Sequence, residues 1–136
     1  MRKKKRILAG VLILLLCLQG CGVIETDTQK IEDLEYEILE EKDIPQELSE
    51  MIEEGKETGF KVTYTDQEYL YIAMGYGEQE TGGYSIAVNE CYLTKNAIYF
   101  DTTLIGPVKG EKINRVKSYP YIVVRVGKLE KNVVFE

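Results

Sequence analysis

The chain predicts an α+β fold: one amphipathic helix packed on a curved, mostly antiparallel sheet or small barrel of about seven strands. Three observations carry that prediction. The segment DIPQELSEMIEEGKETG, Asp43 to Gly59, places its apolar residues at helical spacing. From Phe60 onward the apolar period becomes two and stays there, in runs of strand length separated by Gly, Pro, Asn and Asp. The 136 residues suffice for one domain with a modest core, and no internal repeat or low-complexity tract divides them.

The N-terminus stands apart from that domain. MRKKKR is a basic head, and ILAGVLILLLCL after it is an unbroken apolar run. At about 1.5 Å per residue such a run is too short to cross a hydrocarbon core of ~30 Å. A basic head, a short apolar run and small residues beyond it describe a secretory signal peptide, here residues 1–20. Leu18-Gln19-Gly20-Cys21 has the form of a bacterial lipobox, in which Cys21 is acylated (palmitate among the acyl chains) and becomes the first residue of the mature lipoprotein. The alternative is an uncleaved anchor from Ile7 to Ile24. Both place the body outside the cytoplasm, because the basic residues stay inside. The expected location is therefore the bacterial cell membrane, lipid-anchored and facing outward.

Loss of Met1 to Gly20 removes five basic residues. Twelve basic and 23 acidic residues remain, a net charge of −11 against −6 for the whole chain. Fourteen of those acidic residues lie between Cys21 and Phe60, so the charge argues against nucleic acid as a partner and against anionic lipid surfaces. Cys17 leaves with the signal peptide and Cys21 carries lipid. Cys91 is then alone, with no intramolecular disulfide open to it, and is expected to be a small buried residue.

Residues 21–32 read as a polar tether and 33–136 as a single domain. LEYEILE alternates Leu34, Tyr36 and Ile38 with glutamates, the pattern of a half-buried strand. In the helix, Asp43 is placed to cap, with Pro45 in the first turn and Gln46 three residues after Asp43. Ile44, Leu48, Met51 and Ile52 form the apolar stripe, and Gly59 supplies the stop. FKVTYT, EYLYIAMGY, GYSIAVNECYLTK, AIYFDTTLIG, YPYIVVRV and NVVFE read as strands joined neighbour to neighbour. Asp66-Gln67 and Lys95-Asn96 are turns between them. Pro107 ends a strand, VKGEKINRVKS is a polar loop, and YPYIVVRV is apolar enough for a central position. A trans proline opening that strand is expected from the preference of X–Pro bonds.

Histidine is absent, which removes Ser-His-Asp and Cys-His catalysis and every His-based metal site. The carboxylates alternate outward along the helix and first strand, as solvated faces do. No calcium loop appears. No catalytic residue, metal or cofactor is expected, and the chain does not read as an enzyme. GYGEQETGGYSI, Gly75 to Ile86, opens with the spacing of a phosphate loop but lacks its third glycine, its Lys-Ser/Thr and its helix. It reads as a hairpin in which Gly77, Gly82 and Gly83 permit positive φ or close approach, with Glu78, Gln79, Glu80 and Thr81 exposed at the tip.

The order Tyr76-Gly77-Glu78, Thr81-Gly82-Gly83-Tyr84-Ser85-Ile86, Gly106-Pro107 and Ser118-Tyr119-Pro120-Tyr121 resembles the C-terminal domain of the protease complex subunit PrcB family, over roughly Lys61 to Glu136. The resemblance implies a surface lipoprotein that associates with an exported protease. The candidate partner-binding residues are Glu78, Thr81, Gly82, Gly83, Tyr84, Ser85, Tyr119, Pro120 and Tyr121. Ten tyrosines in a small domain suit an interface, although half-buried strands use tyrosine too. The expected function is thus a protein-interaction or stabilising subunit held to the membrane through lipid on Cys21. The alternatives are a small-ligand or envelope-glycan binder with tyrosines as a stacking platform, and a protease inhibitor that inserts the Gly77 to Gly82 loop.

Overall fold

The computed structural model describes residues 29–136. The segment expected as a signal peptide, Cys21 and the expected tether up to residue 28 lie outside them. Eight strands follow in chain order: β1 (Lys30–Asp33), β2 (Glu37–Ile38), β3 (Phe60–Thr65), β4 (Tyr69–Gly75), β5 (Ser85–Thr94), β6 (Ala97–Ile105), β7 (Tyr121–Gly127) and β8 (Asn132–Phe135). Helix α1 (Gln46–Gly55) lies between β2 and β3, after a 3-10 turn at Glu41–Asp43.

The strands form two open four-stranded sheets, in the orders β1-β5-β6-β8 and β2-β7-β4-β3. This corrects the single curved sheet or barrel read from the sequence, while the α+β class holds. The sheets enclose one core, in which Leu70, Ile72, Met74, Ile122, Val124 and Val126 meet Cys91, Ile98 and Phe100. On the far face of the second sheet, α1 sets Leu48 and Ile52 on Tyr71, Ala73 and Val123, forming a second core. The result is three layers. β4 and β7 are covered on both faces, so β4 is almost wholly buried and β7 is buried from Ile122 to Val124 and at Val126, where an edge strand would alternate. Burial of each such large apolar side chain contributes about 1.5–3 kcal/mol.

Helix α1 forms where its spacing predicts, but its start differs. Asp43 belongs to the 3-10 turn and caps nothing; Pro45 holds the N-cap position with extended backbone. Proline has no N–H to leave unsatisfied, which suits it to the entry of a helix. At the other end Gly59 takes φ +92° and its N–H returns to the Gly55 carbonyl at 2.9 Å, the expected stop. The Tyr64 hydroxyl donates to Glu47 and fastens β3 beneath the helix.

Three further expectations are corrected. Lys30 to Glu32, assigned to the tether, join Asp33 in one edge strand, Lys30–Asp33, paired with β5; all four residues are exposed, so no apolar alternation marked them. LEYEILE pairs only at Glu37 and Ile38, because the segment passes from one sheet to the other: Leu34 packs on the inter-sheet core and Leu39 on the helix core. β8 runs parallel to β6 and is not joined to its sequence neighbour β7. The hairpin of β5 and β6 turns at Lys95-Asn96 as expected, and the buried Thr94 hydroxyl bonds both the Ala97 N–H and carbonyl at 3.1 Å. At Asp66 the carboxylate accepts the N–H groups of Tyr69 and Glu68 and the Tyr71 hydroxyl. These bonds, Tyr69 first, hold its pKa below the usual carboxylate value.

Candidate functional site

The segment from Gly75 to Ile86 is not a hairpin. Its first strand, β4, has β3 and β7 as neighbours, and its second, β5, has β1 and β6. Residues 76–84 therefore cross from one sheet to the other, and the glycines serve that crossing. Gly77 has φ +80°, and a Cβ there would lie 3.2 Å from the Glu57 carbonyl oxygen. Gly83 has φ +87°, and a Cβ there would lie 3.1 Å from Pro107. Both positions are left-handed, where a side chain is strained. Gly82 does not take positive φ.

The crossover is braced by the segment 114–121. Gln79 and Ser118 exchange N–H···O bonds of 2.8 and 3.0 Å, and the Gly82 N–H reaches the Asn114 carbonyl at 2.8 Å. The Ser118 hydroxyl donates to the Thr81 carbonyl at 2.6 Å. The Tyr76 N–H bonds the Pro120 carbonyl at 3.0 Å, and the Tyr119–Pro120 bond is trans. Glu78 accepts from the Tyr119 hydroxyl at 3.2 Å and pairs with Lys117 at 3.3 Å. The hydrogen bond to the Glu78 carboxylate raises the Tyr119 pKa, since it favours the neutral phenol. Of the exposed tip expected at 78–81, Glu78 and Glu80 are exposed and Gln79 and Thr81 half-buried.

The nine candidate residues thus divide. Glu78, Tyr119 and Tyr121 face the helix side, where both tyrosines line a hollow of about 340 Å³ with Glu41, Ile52 and Lys56. The Lys56 ammonium lies 5.3 Å from the Tyr119 ring centroid and 2.6 Å from Glu53. Burial raises the Tyr121 pKa. Thr81, Gly82 and Pro120 contribute chiefly backbone to the brace. Tyr84 and Ser85 enter β5 on the other side, beside Gly106 and opposite Ile105. Sequence reasoning missed Glu41 and Lys56. The signal for Lys56 was a single lysine closing a helical segment of glutamates.

The polar loop expected at 108–118 is irregular, and it exposes more apolar surface than its composition suggests. Val108 and Val116 are 69% and 64% exposed, and Ile105 and Ile113 are exposed as well. They stand among Lys109, Lys112, Arg115 and Lys117.

Chemistry by Cys91 is closed off, because burial pushes its thiol up to about 11 and keeps it protonated at neutral pH. Among the described residues no cluster of acidic or thiol side chains is arranged to hold a metal ion. No helix among them is long and apolar enough to cross a membrane.

Fold and site together define a three-layer α+β domain with a glycine-dependent, braced crossover at one end. Residues 70–127 match the family model described as PrcB C-terminal, so this segment is similar to that domain. The match is narrower than the Lys61 to Glu136 range read from motifs. It runs from β4 through β7 and includes the crossover, its brace and the apolar-basic loop. No curated protein and no solved structure matches the chain.

Proposed function

We propose that the protein is a non-catalytic interaction subunit, anchored to the outer face of the cell membrane through lipid on Cys21, that binds and stabilises an exported protease. The family match is consistent with a subunit associated with a protease complex. The observation that carries the reading to a particular surface is the loop 107–118. It presents Ile113, Val108 and Val116 to solvent, it is bonded to the crossover, and it lies within the family-matched segment. Exposed apolar side chains on a braced segment are what a protein partner buries. The surrounding lysines and arginine favour a partner with acidic residues at the contact rim.

The tyrosine-platform alternative draws on fewer residues than the composition suggests. Tyr92 and Tyr99 stack at 5.3 Å on β5 and β6, Tyr64, Tyr69 and Tyr71 form a separate group, and Tyr119 and Tyr121 share the hollow by α1.

A photoreactive residue at Val116, introduced in the native cells, tests the proposal against the same residue at Lys95 on the opposite end. An exported protease cross-linked from 116 and not from 95 is expected. Recovery of un-cross-linked monomer from both positions would refute this surface as the contact.

A further inference from the structure

A cleft lies at the other end of the molecule. The pairing of β4 with β7 sets Gly75 opposite Tyr121 at the crossover end and Tyr69 opposite Gly127 at the far end. At that far end a cleft of about 610 Å³ is lined by Thr63, Thr65, Lys95, Lys128, Lys131 and Asn132, with Leu70 at its base. Its volume falls within the range of small-molecule sites.

The pattern of β3 is what makes the cleft polar. Directly paired residues of an antiparallel ladder turn their side chains to the same face. Thr65, Thr63 and Lys61 pair with Leu70, Ile72 and Met74, so they share the face on which the inter-sheet core is built. There β4 is buried and apolar, whereas β3 overhangs with two exposed threonines and a lysine. Phe60, Val62 and Tyr64 turn the other way, under α1. The polar shelf therefore faces away from the acidic helix.

Lys95, Lys128 and Lys131 line the cleft together with that shelf. Lys131 donates to the Lys95 carbonyl at 2.6 Å, which ties the β5–β6 turn to the connection entering β8 and holds the cleft open between them. Among the described residues Lys95, Lys128 and Lys131 form no ion pair, and Glu130 is the one carboxylate among the lining residues. In a chain with an excess of acidic residues, an unneutralised lysine group is relieved by an anion.

We propose that this cleft binds a polyol phosphate. The phosphate sits among the lysines, which bind it as flexible point charges. The threonine hydroxyls and the Asn132 amide meet the polyol hydroxyls, for which both can donate and accept. This site shares no residue with the proposed protease contact, so either can fail without the other.

Titration of the full-length chain with glycerol 3-phosphate, and with phosphatidylglycerol vesicles against phosphatidylcholine vesicles, tests the assignment. Binding of the free compound assigns the site to a soluble polyol phosphate; binding of phosphatidylglycerol vesicles alone assigns it to a lipid headgroup. Both support the proposal. Lys95→Gln with Lys128→Gln should weaken binding by about tenfold or more, and Thr63→Val, which keeps a β-branched strand residue, by about threefold. The Lys109→Gln and Lys112→Gln protein, altered at the other end, should bind as the parent does. Absence of binding to any probe, or equal binding by the Lys95/Lys128 variant with an unchanged melting temperature, would overturn the proposal.

Discussion

The two ends of this domain treat their polar groups in opposite ways. At the crossover end Glu78, Gln79, Thr81 and Ser118 are bonded to one another or to the facing backbone. At the far end three lysines line a cleft with no carboxylate in ion-pair contact among the described residues. Satisfied groups hold a loop in shape, and what that loop then offers a partner is its remaining apolar surface. The Lys95 and Lys128 ammonium groups do little for the fold and are free for a ligand, while Lys131 is held on the Lys95 carbonyl. Under the two proposals above, the contrast separates a shaped surface from a charged cleft.

Four variants break or sharpen that contrast. The largest effect is expected for Gly77→Ala. A left-handed backbone costs an L-residue about 1–2 kcal/mol, and the new Cβ also presses on the Glu57 carbonyl. Urea denaturation should show a loss of about 2 kcal/mol; an unchanged midpoint would mean that the crossover is not under this constraint. Next, Ser118→Ala removes the hydroxyl bonded to the Thr81 carbonyl and should cost about 1 kcal/mol in the same measurement.

Glu78→Gln should change stability by only about 0.5 kcal/mol, as an exposed ion pair does, but it has a sharper readout. The Tyr119 pKa is raised because its hydroxyl donates a hydrogen bond to the Glu78 carboxylate. In the variant that phenol should ionise at lower pH, nearer the ordinary tyrosine value of about 10, in an alkaline absorbance titration. No change in the titration would place Glu78 away from Tyr119 in solution. The smallest effect is expected at the other end, where Lys95→Gln and Lys128→Gln should leave stability within about 0.5 kcal/mol of the parent. A clear loss there would show that those lysines serve the fold.

Much of the fold was legible where local patterning and burial agree. Helix α1 announced itself because one stripe, Leu48 and Ile52, meets a single core. The hairpin at Lys95-Asn96 was visible because both strands and their turn are contiguous in the chain. The residues of the crossover were given the wrong connection. Two period-two runs joined by glycines look the same whether the strands pair or part into different sheets. The lysine cleft left no trace at all, since Lys95 and Lys128 are 33 positions apart in the chain and meet only through folding.

By itself the sequence determined the class of the domain, the helix, most of the strands and the absence of histidine chemistry. Each of these rests on residue type or on a short-range period. Only the tertiary structure decided that there are two sheets, that β8 lies parallel to β6, and which polar groups find partners. Those depend on which strands meet across long loops, and the free energy of such pairings is shared among distant residues. A local pattern cannot record that.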